Sequence, residues 1–253
     1  MEPNSDSRKE KTMKPLALSK PTIAICRNFS KISDHLMFQA GSIQKIRNGG
    51  MYAEAKVAEE FPCEFPVELR VFVGLAAIFK QPHLDFVHGS HIRMTEGGRS
   101  SEEAIYAFDP TVEEKAQAFS TNKRSLLAPK HRIDFLITAA QHATMQLDAK
   151  RKTGTTNFNM GFVSDGRRIA ADYFVTSEDK STIPIDRCGW LLKGDPHGIS
   201  CGVTLAKHVK WPLLKGGYRG IVSERHTMLT GLDVTYLIAH EPALSWFESA
   251  EAQ

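Results

Sequence analysis

Apolar positions along the chain fall into short runs whose period changes repeatedly. Over residues 67–79, Leu69, Phe72, Val73, Leu75, Ala76, Ile78 and Phe79 are apolar nearly all round. That predicts a buried helix, opened by Pro66 and ended by Lys80-Gln81-Pro82. Over residues 130–150, Ile133, Leu136, Ile137, Ala140 and Leu147 recur at helical spacing, so a second helix is expected, with Gly154 as its stop. Alternation follows, with Phe158, Met160 and Phe162 set against Asn157, Asn159 and Gly161. Ser164-Asp165-Gly166 then signals a turn, and residues 167–175 return as the second strand of a hairpin. Residues 45–52 carry a Gly49-Gly50 turn and predict another hairpin. Residues 198–205 and 218–223 predict strands, whereas Pro184 bars residues 183–185 from a central strand. A polar helix is expected over 102–107, a capping box at Thr111 and Glu114, and a last helix over 233–239. No internal repeat is visible.

Composition narrows the picture. The 253 residues suffice for a sizeable core. Residues 1–20 are polar and charged without apolar periodicity and are expected to form a disordered basic tail. Residues 21–253 are expected to form a single α+β domain with a winged-helix-like segment at 121–176. The four cysteines, Cys26, Cys63, Cys188 and Cys201, include no C-x-x-C pair, which argues against a disulfide framework or a zinc ribbon. Reduced thiols suit a cytoplasmic location. No apolar run is long enough for a membrane helix, and the polar N-terminus does not read as a secretory signal.

Charge adds one local feature. The net charge is only +3, but residues 121–170 hold nine Lys/Arg against three Asp/Glu. A basic helix followed by a hairpin is the order of a winged helix, where the helix enters the major groove and the wing touches the backbone. On that reading Lys123, Arg124, Lys130 and Arg132 anchor phosphates. Gln141, His142 and Gln146 face bases, Lys150, Arg151 and Lys152 form a basic corner, and Arg167 and Arg168 carry the wing contact. The same pattern also fits an ordinary surface helix and hairpin with solvated charges.

Other chemistry is sparse. His83, Asp85, His88 and His91 contain metal-ligating groups, but their spacing is not that of a helix-face zinc motif, and they read as loop histidines. Cys188 and Cys201 lie near His197 and His208 in sequence, yet no nucleophile, P-loop or dinucleotide motif is present. No enzymatic activity, cofactor or metal is therefore expected. Tyr236, Trp246 and Phe247 read as core or as a dimer surface.

Several fragments resemble plasmid replication initiators of the IncQ type. Residues 66–78 resemble their first long helix, and 120–128 the basic turn before their recognition helix. Residues 166–173 resemble the wing, and 217–221 with 232–240 the closing strand and helix. The resemblance implies an α+β, winged-helix-like fold with additional short strands. It also implies sequence-specific binding of origin DNA to initiate plasmid replication, with double-stranded DNA and replication proteins as partners and room for a homodimer. The competing expectation is a viral structural protein of matrix, movement or coat type with a basic nucleic-acid-binding face.

Overall fold

The structure, a computed structural model, describes residues 14–87, 91–104, 132–152, 158–175, 185–205 and 213–248. Period-two burial dominates it: β4 (Met51–Phe61) buries every second residue from Met51 onward, and β9 (Ile133–Ile137) turns Ile133, Phe135 and Ile137 into the core. The first half runs β1 (Leu16–Ala17), α1 (Lys20–Phe29), β2 (His35–Phe38), β3 (Gly41–Asn48), β4 and β5 (Phe65–Glu68). It continues with α2 (Leu69–Ile78), β6 (His83–Val87), β7 (His91–Glu96) and β8 (Arg99–Ala104). The second half runs β9, α3 (Ala139–Lys152), β10 (Phe158–Asp165), β11 (Ile169–Val175), β12 (Trp190–Asp195) and β13 (Ser200–Thr204). It continues with β14 (Tyr218–Val222), β15 (His226–Thr230), β16 (Val234–Ala239) and β17 (Trp246–Glu248).

The two halves follow one pairing plan. In the first, β1 pairs with β6, β6 with β7, β7 with β8, β2 with β5 and β3 with β4. In the second, β9 pairs with β14, β14 with β15, β15 with β16, β10 with β13 and β11 with β12. An internal repeat is thus present in the hydrogen bonding although the sequence shows none. All pairs are antiparallel, and β16 joins the halves by pairing with β4, from Val234↔Ala55 to Ile238↔Met51. The result is an 11-stranded sheet in the order β17-β13-β10-β11-β12-β9-β14-β15-β16-β4-β3, beside a four-stranded and a two-stranded sheet.

The inner face of this sheet carries the core, and α1 and α3 lie on it. Tyr236 of β16 donates its hydroxyl to Asn28 of α1 at 2.8 Å, and Tyr173 of β11 donates to the Met145 carbonyl of α3 at 2.9 Å. α2 packs beside α1. A smaller apolar cluster crosses the opposite face as one row, Tyr52, Leu237, Met228 and Ile221, each directly opposite the next.

Local chemistry sets the helix starts. Ser19 caps α1, and the buried Glu59 of β4 adds a second cap, accepting from the Ser19 amide and the Thr22 hydroxyl. α3 opens on a reciprocal capping box. The Thr138 hydroxyl accepts the Gln141 amide at 3.2 Å, and the Gln141 side chain accepts the Thr138 amide at 3.0 Å.

Several expectations are corrected. The fold is not winged-helix α+β but predominantly antiparallel sheet. The helix expected over 130–150 begins only at Ala139, because residues 133–137 bury alternate side chains as β9. The hairpin over 158–175 is present, with seven facing pairs and Gly166 at φ 82°. It is no free wing, since β13 and β12 flank it on both sides. The helix expected over 233–239 is β16, whose β-branched and aromatic residues suit a strand buried on both faces. Residues 65–68 form β5, so the following helix begins at Leu69, and it is one-sided, leaving Val71 and Ile78 exposed. Of the polar helix expected over 102–107, residues 102–104 end strand β8, and the rest, like the Thr111 capping box, lies outside the described residues. Leu16 and Ala17, placed in the tail by the sequence, pair with β6.

Candidate nucleic-acid interface

The helices concentrate positive charge. α1 holds Lys20 and Arg27, α2 holds Arg70, and α3 ends in Lys150, Arg151 and Lys152. Against these six stands one acidic residue, Asp148. The three helices among the described residues therefore carry +5. The rest of the chain carries −2, the +3 of the whole less the +5 of the helices. The α3 cations at its C-terminal end also complement the helix dipole.

Between the cations the exposed helical surface mixes small and apolar side chains. Ala24 on α1, Gly74 and Ala77 on α2, and Ala139, Ala140, Ala143 and Thr144 on α3 face solvent, as do Val71, Ile78 and Leu147. Around them the basic side chains are the groups that can meet phosphates. Such contacts fix position without reading sequence. Arg70 is the partial exception, since its Nε lies 2.8 Å from Asp34 Oδ1. Both groups are largely exposed, so water screens that pair and its contribution is small.

The base-facing side chains expected from the sequence are turned inward or spent on the fold. Gln141 closes the α3 capping box and donates to the Leu191 carbonyl at 3.2 Å. His142 is buried, packs edge-on against Tyr218 at 5.1 Å, and burial pushes its pKa down to about 4. Gln146 donates to the Leu213 carbonyl at 2.8 Å. Sequence-specific reading by this trio, the expectation for an origin-binding initiator, is therefore corrected.

The remaining expected residues divide. Lys123, Arg124 and Lys130 lie outside the described residues. Arg132 precedes β9 and binds Asp134, Nε to Oδ2 at 2.9 Å. Arg151 is exposed on the last turn of α3, which also contains Lys150 and Lys152. Arg167 is exposed at the β10–β11 turn. Arg168 spans Asp165 and Asp186, with nitrogen–oxygen distances of 3.1 and 3.0 Å. The sequence singled out one continuous basic segment. It missed Lys20, Arg27 and Arg70, which are single cations far apart in the chain. Their shared signal is helices α1 and α2 without any acidic residue.

No alternative site competes among the described residues. His83 and Asp85 lie on β6 and His91 on β7, a hairpin and not a loop, while His88 is outside the described residues. No group of three potential metal ligands occurs among the described residues. Burial pushes the Cys188 thiol up to about 11 and Cys201 up to about 12, the opposite of an activated nucleophile. No helix among the described residues is long and apolar enough to cross a membrane.

No family model and no curated protein matches the chain. Solved structures do. The chain is similar to DNA polymerase III subunit beta from Borrelia burgdorferi, with a TM-score of 0.59 at 9% identity over 94% of this chain and 66% of that one. It is similar to a chain of the PCNA2–PCNA3 complex from Sulfolobus tokodaii, with a TM-score of 0.57 at 10% identity over 90% of this chain and 100% of that one. PCNA from Thermococcus kodakaraensis gives 0.54 at 9% identity, over 90% of this chain and 99% of that one. The chain thus spans about two thirds of the Borrelia subunit and the full length of the Sulfolobus chain. The chain shares the fold of these beta-subunit and PCNA chains.

Proposed function

We propose that this protein is a non-enzymatic DNA-binding protein of clamp type that serves DNA replication and holds duplex against its helical face by charge. The observation that carries the proposal is the +5 on α1, α2 and α3, in a fold shared with a DNA polymerase III beta subunit and with PCNA. α1 and α3 lie on one face of the sheet with α2 packed beside α1, and the amides of Gln141 and Gln146 are bonded to backbone carbonyls in place of base edges. The partners implied are duplex DNA and a replicative polymerase.

Fluorescence anisotropy with two unrelated duplexes tests this reading. Affinities for the two should agree within about threefold. Log affinity should fall linearly with log salt, with a slope of about −4 to −5 if most helix cations meet phosphates. Replacing Lys20, Arg27 and Arg151 together by Glu should abolish binding at about 100 mM salt while leaving the circular dichroism spectrum intact. Absence of binding by the native protein at about 50 mM salt would sink the reading, as would a sequence preference of about a hundredfold or more.

A further inference from the structure

Residues 213–216 lead into β14 as neither helix nor strand, yet side chains reach their backbone from several elements. On one side stands α3. Its Gln146 donates to the Leu213 carbonyl at 2.8 Å, and its His142, one turn earlier, is bonded to the Gly216 backbone. The Leu214 carbonyl accepts the Tyr218 hydroxyl, and the Tyr218 ring packs edge-on against His142 at 5.1 Å. On the other side stands α1. The Leu214 amide donates to the Tyr236 hydroxyl at 2.9 Å, and that hydroxyl donates to Asn28 Oδ1 of α1 at 2.8 Å. One chain of bonds therefore runs from α1 through Tyr236 and residues 213–216 to α3.

The chain is closed to water along most of its length. Asn28, His142, Tyr218 and Tyr236 are buried, as is Leu213. Buried hydrogen bonds of this kind hold a single geometry, because breaking one strands a polar atom without solvent. Tyr236 stands where the two halves join, opposite Ala53 of β4. Tyr173 offers a contrast: its hydroxyl also holds a helix, but it reaches Met145 of α3 from β11 within the second half. His142 and Gln146, which the sequence placed against bases, thus set where α3 lies.

We infer that Tyr236 is a positioning residue for DNA binding, which fixes α1 against α3 through residues 213–216 so that the cations of both helices meet one duplex together. This rests on the DNA-binding reading above. Packed side chains and hydrogen bonds in series transmit a displacement from one end to the other. Loosening either end of the chain therefore loosens both helices, and α1 then carries Lys20 and Arg27 out of register with the phosphates that α3 meets.

Three variants of the full chain decide it. Tyr236→Phe and Tyr173→Phe each remove one hydroxyl, and each should lower the melting temperature by about 2–4 °C. Only Tyr236→Phe should weaken the salt dependence of duplex binding, reducing the log–log slope by about 2, the share of the two α1 cations. Without DNA, hydrogen exchange should speed up in both α1 and α3 of Tyr236→Phe. Gln146→Leu, which cuts the chain at its other end, should speed up α1 as well. Faster exchange confined to α1 in Tyr236→Phe, or an equal loss of slope in Tyr173→Phe, would overturn the inference. Failure of the native protein to bind duplex would instead remove the functional reading, and exchange would still decide whether the two helices are joined.

Discussion

The first half of the molecule divides its strands among separate sheets, whereas the second keeps them in one ladder. β10 and β11 pair along seven positions through a tight turn at Gly166. Their counterparts β2 and β3 are not joined by a ladder. β2 pairs only with β5, and β3 pairs with β4. At the break, the buried Gln44 side chain takes the place of a strand. It accepts the Gln39 amide at 2.8 Å and donates to the carbonyls of Gln39 and Gly41 at 2.9 and 3.1 Å. A cluster of Phe38, Phe61, Phe65 and Phe72, with ring centroids about Phe38 at 4.6 to 5.2 Å, fills the space that the opening creates. One pairing plan thus tolerates either a continuous ladder or a broken one, provided that a side-chain amide satisfies the orphaned backbone groups.

The comparison breaks first at Gly220 in β14. It faces Phe135 of β9, and a Cβ there would land within the Phe135 ring. The corresponding first-half pair, Leu16 and Leu84, carries two full side chains. Gly220→Ala should therefore cost about 3 kcal/mol by urea denaturation, by forcing the ring out of its place. A loss below about 0.5 kcal/mol would show that β9 and β14 move apart to admit the added methyl.

Acid should act on the second half next. His142 and His240 both belong to it, and burial holds both neutral with pKa values of about 4, against an ordinary 6.5. The unfolded chain takes up these protons first. Stability is therefore complete above pH 6.5 and is lost as pH falls from 6.5 to about 4. For His240, which bridges the Thr227 hydroxyl and the Glu224 carbonyl, the loss should be on the order of 2 kcal/mol. Hydrogen exchange at pH 4.5 and 7.5 should place the weakening at β15 and β16, and a change confined to α1 and β3 would contradict it.

The smallest effect is expected at the break itself. Gln44→Ala leaves the Gln39 amide and carbonyl without their partner and should cost about 1–2 kcal/mol in thermal or urea unfolding. An unchanged midpoint would mean that water serves the broken ladder as well as the amide does.

Turn chemistry was the most legible part of the fold. Gly49-Gly50 and Asp165-Gly166 both mark real hairpins, because Gly49 at φ 51° and Gly166 at φ 82° take the left-handed backbone that glycine allows. β13 and β14 fall within the strands expected over 198–205 and 218–223. β9 was not, because Leu136 next to Ile137 imitates helical spacing, and only the burial of Ile133, Phe135 and Ile137 shows the period of two. β16 misled for another reason: with a second apolar cluster behind it, both of its faces are apolar and alternation disappears. The repeat was invisible because a pairing plan preserves hydrogen bonds and not identities, as Gly220 against Leu84 illustrates. In the candidate site the sequence located the basic end of α3, but the single cations of α1 and α2 stand out only once the fold makes those segments helices without acidic residues.

The pairing of β16 with β4 has a consequence for how the chain is made. Residues 51–55 leave the ribosome well before Val234–Ala239, the strand that covers them. Throughout that interval β4 presents bare amides and carbonyls, flanked by Met51 and Tyr52, to any passing strand. Translation speed, and not only final stability, therefore bears on the yield of correctly joined protein. Pauses between these two stretches of the message would lengthen the period in which two nascent chains can pair with each other in place of themselves.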